Sequence, residues 1–211
     1  MYFKDTEVWG FKHAFKGMRN PKNSWDKSDS YEKDNKYIIG EKDMKLAQTL
    51  VKAGNEHGKF LRMIHVSVDV DMPRYWWSEA DTYHFGIKNS CSTMHKLLNN
   101  DNPITLDMFV ICEEDIEWWE YTIQKLEQMR QEYKTIQKTT KDNKAMNRLL
   151  VRAKRMLPEA LLQLRTWDTN YAELRNMYFQ RRHHRLKEEW IDTFCKWVES
   201  LPHAKELICC E

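Results

Sequence analysis

Asn170, Asn176 and Arg181 lie close enough in the sequence to share one helix, and their side chains suit polar and anionic ligands. An amide both donates and accepts hydrogen bonds, and a guanidinium presents a planar fork of donors. The segment 171–182 reads as a helix with Asn170 as its cap. A ligand at that cap would meet the positive end of the helix dipole, where an anion is welcome. On a wheel of about 100° per residue, Asn176 falls about 240° and Arg181 about 20° from Asn170. Asn170 and Arg181 then share a face, and Asn176 points toward a different part of any ligand. A second chemistry is open at the same place. Tyr178, Phe179, Arg181, Arg182, His183, His184 and Arg185 form an aromatic and basic run of the kind that binds nucleic acid. Glu173, Glu188 and Glu189 dilute that run, no known RNA-binding motif accompanies it, and Arg181 reads equally as part of a solvated basic face.

His84 sits between Tyr83 and Phe85, a setting that suits a hydrogen-bonded structural histidine as well as a ligand-binding one. The five cysteines (Cys91, Cys112, Cys195, Cys209 and Cys210) are scattered, and no CxxC pair with downstream histidines occurs. Neither a zinc site nor a disulfide framework is supported, so no metal is expected. A reducing, cytoplasmic compartment follows.

These residues need a scaffold, and the hydrophobic pattern supplies one. The clearest loop is the polar stretch 20–36. Asp43 is placed to cap a helix through Leu46, Leu50, Val51 and Ala53, which Gly54 would close. Residues 61–71 alternate Ile64, Val66, Val68 and Val70 against polar positions, the mark of a half-buried strand. Pro73 suits the first turn of a helix carrying Tyr75, Trp76 and Trp77, whose indoles are expected in the core. From 113 to 138, apolar residues recur every three or four positions behind an acidic start, which predicts a long amphipathic helix. A further helix covers 144–156 and stops before Pro158. Residues 161–167 read as a short strand, and 186–201 as a last helix. Helices and strands in this order give an α+β pattern rather than a regular βαβ alternation.

At 211 residues, with six glycines and five prolines, the chain is expected to be one helix-rich domain. Nine tryptophans and eleven methionines point to a core of bulky, irregular pieces. A net charge of +2 does not by itself argue for nucleic acid. No apolar run approaches the roughly 18 residues of a membrane span, and the start lacks a secretory signal.

The second half of the chain resembles the flavin-dependent thymidylate synthases. Ala153-Lys154-Arg155-Met156-Leu157-Pro158 is similar to that family's A-R-x-x-L-P element. Twelve residues beyond the proline the family opens a helix of form N-x-x-x-L-x-N-F-x-x-x-R. Asn170, Leu174, Asn176 and Arg181 keep that spacing, with Phe179 two positions late. The first half matches in layout: a helix ending near Gly54, then His57, a strand, and a helix leading into the place of the R-H-R-x7-S signature. Counting from Pro73 puts Thr82-Tyr83-His84 over R-H-R, Asn89 over a usually polar position and Ser92 over the serine. A shift of one residue puts His84 over the central histidine and Thr93 over the serine, and both registers are open. In either, the signature arginines are absent, as is the arginine two residues after the serine, and Glu79 falls near a family glutamine.

The resemblance implies a small antiparallel or mixed sheet packed with long helices, the thymidylate synthase-complementing (ThyX-like) fold, in a single domain spanning 1–211. Its parts would be a partly looped 1–40, a helix-strand-helix region at 43–95, long helices at 113–157 and the second motif half at 158–211. It also implies methylation of dUMP to dTMP with methylenetetrahydrofolate, FAD and NADPH, in a homotetramer whose sites are shared between subunits. By matching position, Arg181 is the catalytic residue facing the pyrimidine. His84, Asn89, Asn170 and Asn176 meet the cofactor, and Ser92 and Lys154 meet the substrate phosphate with Arg181. Lys154 keeps the charge of the family's arginine but loses its fork. Two other classes stay open: a non-catalytic or altered-specificity pyrimidine nucleotide-binding member of the same fold, and a nucleic-acid-binding protein using residues 178–185.

Overall fold

The computed structural model describes residues 1–211, apart from the side chain of His95. Strand β1 (Tyr2–Trp9) leads into helix α1 (Phe11–Gly17), two short 3-10 turns (Asn20–Lys22 and Trp25–Lys27) and the strands β2 (Tyr31–Lys33) and β3 (Lys36–Ile38). Helix α2 (Glu41–Lys52), a 3-10 stretch (Gly58–Met63), β4 (His65–Pro73) and α3 (Arg74–Ala80) follow. Next come β5 (Ile87–Ser90), α4 (Thr93–Lys96), the long α5 (Ile116–Lys138) and α6 (Asn143–Met156). After these run β6 (Leu162–Asn170), α7 (Tyr171–Arg181), a π-helix (Lys187–Cys195), α8 (Lys196–Glu199) and α9 (Ala204–Leu207). Helix takes 53% of the chain and strand 18%, a small antiparallel sheet packed with helices, so the expected α+β class holds. The main sheet has the order β1-β4-β6-β5, and β2 pairs only with β3.

The chain divides into two compact units. Unit 1 comprises Met1–Val70, Asp81–Asn89 and Thr166–Glu211, and unit 2 comprises Asp71–Ala80 and Ser90–Arg165. Each is assembled from interleaved stretches, so neither is a contiguous half of the chain.

In unit 1, Val66, Val68 and Val70 are buried along β4 while His65, Ser67 and Asp69 are half-buried, as the alternation requires. The polar side is bonded to β6: Ser67 donates to Asp168 at 2.8 Å and Thr166 to Asp69 at 2.6 Å. The strand begins at 65 rather than 61. Leu61 and Ile64, both buried, are three residues apart, which is the period of the 3-10 stretch that precedes the strand.

Asp43 does not cap α2. Asp29 takes that role, its carboxylate accepting from the backbone N–H of Lys42 (2.8 Å) and Asp43 (3.0 Å). Asp43 is buried instead, accepting from Arg19 Nε at 2.6 Å and from the Ser28 and Ser30 hydroxyls at 2.5 Å each. Burial pushes its carboxyl up, but the Ser28, Ser30 and Arg19 hydrogen bonds outweigh it and hold the group below its ordinary range. The stretch read as a loop at 20–36 is therefore ordered around this pair. It contains two 3-10 turns and most of an antiparallel hairpin, closed by Asp34 and Asn35 at φ 51° and 58°, the left-handed pair that a tight hairpin turn needs. The last predicted helix, 186–201, is also different in kind: it is a π-helix over Lys187–Cys195 before it tightens into α8.

In unit 2 the amphipathic pattern of α5 is realised. Trp119, Ile123, Leu126 and Met129 join Leu149 and Ala153 of α6 in one buried cluster with Phe109 and Leu161. Pro73 ends β4 immediately before α3, whose Trp76 and Trp77 are fully buried as expected. The Trp77 indole donates to the Gln163 carbonyl at 2.9 Å and lies under the Arg165 guanidinium.

Candidate functional site

Asn170 ends β6 with extended dihedrals (φ −146°, ψ 165°), so it precedes the helix and the wheel does not govern its side chain. Its amide oxygen accepts from the Glu173 N–H at 3.0 Å, the cap read from the sequence. Just beyond lies a cavity of about 170 Å³, lined by Asn170 and Asn176 together with Glu173, Arg175, Phe85 and Arg62. The two asparagines thus open on one cavity. Among the described residues the amide nitrogen of Asn170 donates to no protein group, which leaves it available to a ligand.

Arg181 does not line that cavity. Its guanidinium lies over the rings of Trp190 (4.7 Å) and Tyr83 (5.4 Å), and its Nε donates to the Tyr83 hydroxyl at 2.9 Å. That hydroxyl donates to Gln180 Oε1 at 2.9 Å, and Gln180 Nε2 donates to Asn176 Oδ1 at 2.8 Å. A continuous hydrogen-bonded chain therefore links Arg181 to a residue of the cavity wall. Tyr83 is buried and fixes the middle of it.

Two residues of this region have a place in the site that the sequence reading did not give them. Glu173, in the sequence only a charge that dilutes the basic run, is buried in the cavity wall. Burial pushes its carboxyl up, with Lys88 and His84 opposing. A carboxyl perturbed by burial beside a cavity is a functional-site feature. The N-x-x-E spacing from Asn170, a helix-start pattern, was the available signal. Tyr83 is the other: one register of the resemblance sets it over the signature histidine, and its contact with Arg181 shows what it holds. His84 is exposed and adjoins Phe85 of the cavity wall, while Asn89 is exposed on β5.

Ser92 and Lys154 belong to unit 2. Ser92 precedes α4 without capping it and lines a separate cavity of about 280 Å³ with Thr93, Lys96 and Asp107. Lys154 Nζ donates to the Thr93 hydroxyl, so the lysine is brought beside the alternative residue for the family's serine. Burial lowers the Lys154 pKa, the Arg74 charge lowers it further, and Glu159 opposes both.

The aromatic and basic run at 178–185 is largely used within the protein. Tyr178 donates to Glu199 at 2.7 Å, Phe179 is stacked by Arg175 and Arg182, and Arg182 is paired with Glu211 at 2.6 Å. These internal contacts argue against a nucleic-acid surface there. Among the described residues no group of three or more His, Cys, Asp or Glu side chains is placed to hold a metal, and all five cysteines are free. No helix is long and apolar enough to cross a membrane.

No protein-family model matches the chain, and no curated protein matches it. Solved structures do. The flavin-dependent thymidylate synthase ThyX of Helicobacter pylori, complexed with FAD and dUMP, is similar at a TM-score of 0.72 and 17% identity, over 100% of this chain and 99% of that one. A second structure of Helicobacter pylori ThyX with FAD and dUMP gives a TM-score of 0.73 and 15% identity, over 99% of this chain and 97% of that one. At such identities the likeness is one of fold.

Proposed function

We propose that this chain is a flavin-dependent thymidylate synthase-like protein. Its reaction would move the methylene of methylenetetrahydrofolate to C5 of dUMP, with FAD and NADPH as cofactors and a homotetramer as the working assembly. The carrying observation is that Asn170 and Asn176, the amides aimed at the flavin by the resemblance, open on a single cavity. The end-to-end likeness in fold to FAD- and dUMP-bound proteins supports the same reading.

The donor set suits part of a flavin. Asn170 offers an amide N–H, Glu173 a carboxyl that donates when protonated, and Phe85, 64% exposed, an aromatic face. A cavity of about 170 Å³ is smaller than the roughly 300 Å³ at which small-molecule sites begin. The remainder of the cofactor would therefore be held by the neighbouring subunits of the tetramer, with His84 and Asn89 as further contacts. When bound, the flavin supplies the hydride. The chain's own task is to orient and polarise. In unit 1, Arg181, held between two rings, would present charge to a pyrimidine; in unit 2, Ser92 and Lys154 offer a hydroxyl and an ammonium suited to a phosphate.

An absorption spectrum after gentle purification tests cofactor binding, and dUMP-dependent oxidation of the reduced flavin tests turnover. A colourless protein that binds neither FAD nor dUMP on titration sinks the proposal. A second reading, a pyrimidine nucleotide-binding member without turnover, is favoured by Tyr83, a buried tyrosine where one register of the family places its signature histidine. Binding of both ligands without dTMP formation would select it.

A further inference from the structure

We propose that the larger cavity of unit 1, beside α1, α2 and the 3-10 stretch Gly58–Met63, binds an organic polyphosphate with an apolar body, of which a nucleoside triphosphate is the simplest case. The cavity encloses about 990 Å³, ample for such a ligand. Its wall carries His13, Lys16, Lys22, His57, Lys59 and Arg62 against one carboxylate, Glu56. With both histidines neutral, four cations less one carboxylate leave an excess of three positive charges, more than the +2 of the entire chain. Among the described residues none of the six is ion-paired. Like charges gathered around one hollow repel one another, and an anion in their midst removes that cost. Lysine ammoniums and an arginine fork are the donors phosphate oxygens accept from.

The rest of the wall says what kind of anion. Leu46, Leu50 and Met63, which are only partly covered, supply an apolar floor over the buried Met18 and Phe60, and a flexible thioether side chain adapts to flat or irregular bodies. Inorganic phosphate would leave that floor wet. A nucleic-acid strand would need exposed rings to stack on, and Phe60 is only 4% exposed. A compact ligand with a charged end and an apolar end satisfies both surfaces. This inference is independent of the flavin reading and would stand for a chain that binds neither FAD nor dUMP.

Calorimetric titration of the full chain with ATP, inorganic triphosphate and adenosine tests it. ATP is expected to bind, and both fragments to bind at least about tenfold more weakly, since each keeps only one kind of contact. Lys59 and Arg62 line the smaller cavity too, so the diagnostic variants avoid them. Lys16 and Lys22 are exposed, and the double variant Lys16→Glu/Lys22→Glu should weaken ATP about a hundredfold. Asn176→Ala, in the smaller cavity alone, should leave ATP affinity unchanged. The proposal is overturned if ATP does not bind, or if triphosphate alone binds as tightly as ATP. It is equally overturned if Lys16→Glu/Lys22→Glu retains the parent affinity, or if Asn176→Ala abolishes binding.

Discussion

Arg181 shows how much a spacing can say and where it stops. A match in sequence aims the residue at a ligand, but the Trp190 ring, the Tyr83 ring and the Tyr83 hydroxyl decide how its guanidinium is held. A charge restrained before the ligand arrives loses little entropy when it acts, which is the condition for electrostatic stabilisation of a transition state. Replacing Arg181 with alanine should then abolish dUMP-dependent flavin oxidation, at a cost of roughly 2 to 4 kcal/mol in transition-state stabilisation. If that variant oxidises the flavin like the parent, Arg181 has another role. Tyr83→Phe keeps the ring and removes the hydroxyl that bridges Arg181 to Gln180. The loss should be smaller, about 1 kcal/mol in kcat/KM, the net value of a typical hydrogen bond. Parent-like kinetics in Tyr83→Phe would mean that the stacked rings alone orient the arginine. Asn170 and Asn176 were legible because their offsets along the chain survive folding. Tyr83 and Glu173 were not, because what makes them notable is burial and contact across 98 and 3 residues, and neither is a property of the residue by itself.

At the scale of elements, legibility followed periodicity. Helices α5 and α6 and strand β4 carry clean patterns, and each lies within a few residues of its expected bounds, while α7 was placed by its Asn170 cap rather than by a period. The hairpin at Tyr31–Ile38 was lost because its strands are three residues each and mostly exposed, so no apolar face marks them. The π-helix was lost because apolar spacing barely separates it from an α-helix. Its backbone is widened, and the Thr193 hydroxyl donates to the carbonyl five residues back, at Glu188. Ion pairing between an element and a loop is equally silent in sequence. On α5, Glu127 is paired with Arg130 and accepts the Ile104 N–H at 2.9 Å, while Arg130 donates to the Asn100 carbonyl at 2.9 Å, tying the preceding loop to the helix. Arg130 is the largest influence on the Glu127 carboxyl and, with the Ile104 N–H and Gln131 and against burial, brings it from 4.5 to about 2. A depressed carboxylate stabilises the fold above its ordinary pKa, and that stability is lost as pH falls through the lower value. Glu127→Gln should therefore destabilise the protein by about 1 to 3 kcal/mol at neutral pH, seen as a lower denaturation midpoint. The gap between variant and parent should close between pH 4.5 and about 2. A gap that persists unchanged at the acid end would assign the loss to packing rather than charge.

The whole molecule raises the question of assembly, and the flavin reading makes a quantitative demand on it. The cavity holding Asn170 and Asn176 is too small for a complete flavin nucleotide, so a protomer that binds one must borrow walls from a neighbour. Large apolar side chains are exposed in both units: Phe85 at 64% and Ile87 at 77% in unit 1, Trp118 at 55% and Tyr121 at 61% in unit 2. Apolar groups of this size left in water are the usual material of subunit interfaces, where aromatic side chains contribute most of the binding energy. A homotetramer is the expected state, with a light-scattering mass about four times the 25.6 kDa protomer at micromolar concentration. Ile87→Glu, by burying a charge at an interface, should lower that mass, and flavin retention should fall with it. The coupling is the informative part. A monomer in solution would contradict the shared site and the enzyme reading together. A tetramer that Ile87→Glu disperses without releasing its flavin would show instead that one protomer suffices, and the walls around Asn170 would then have to open further than they do in the free chain.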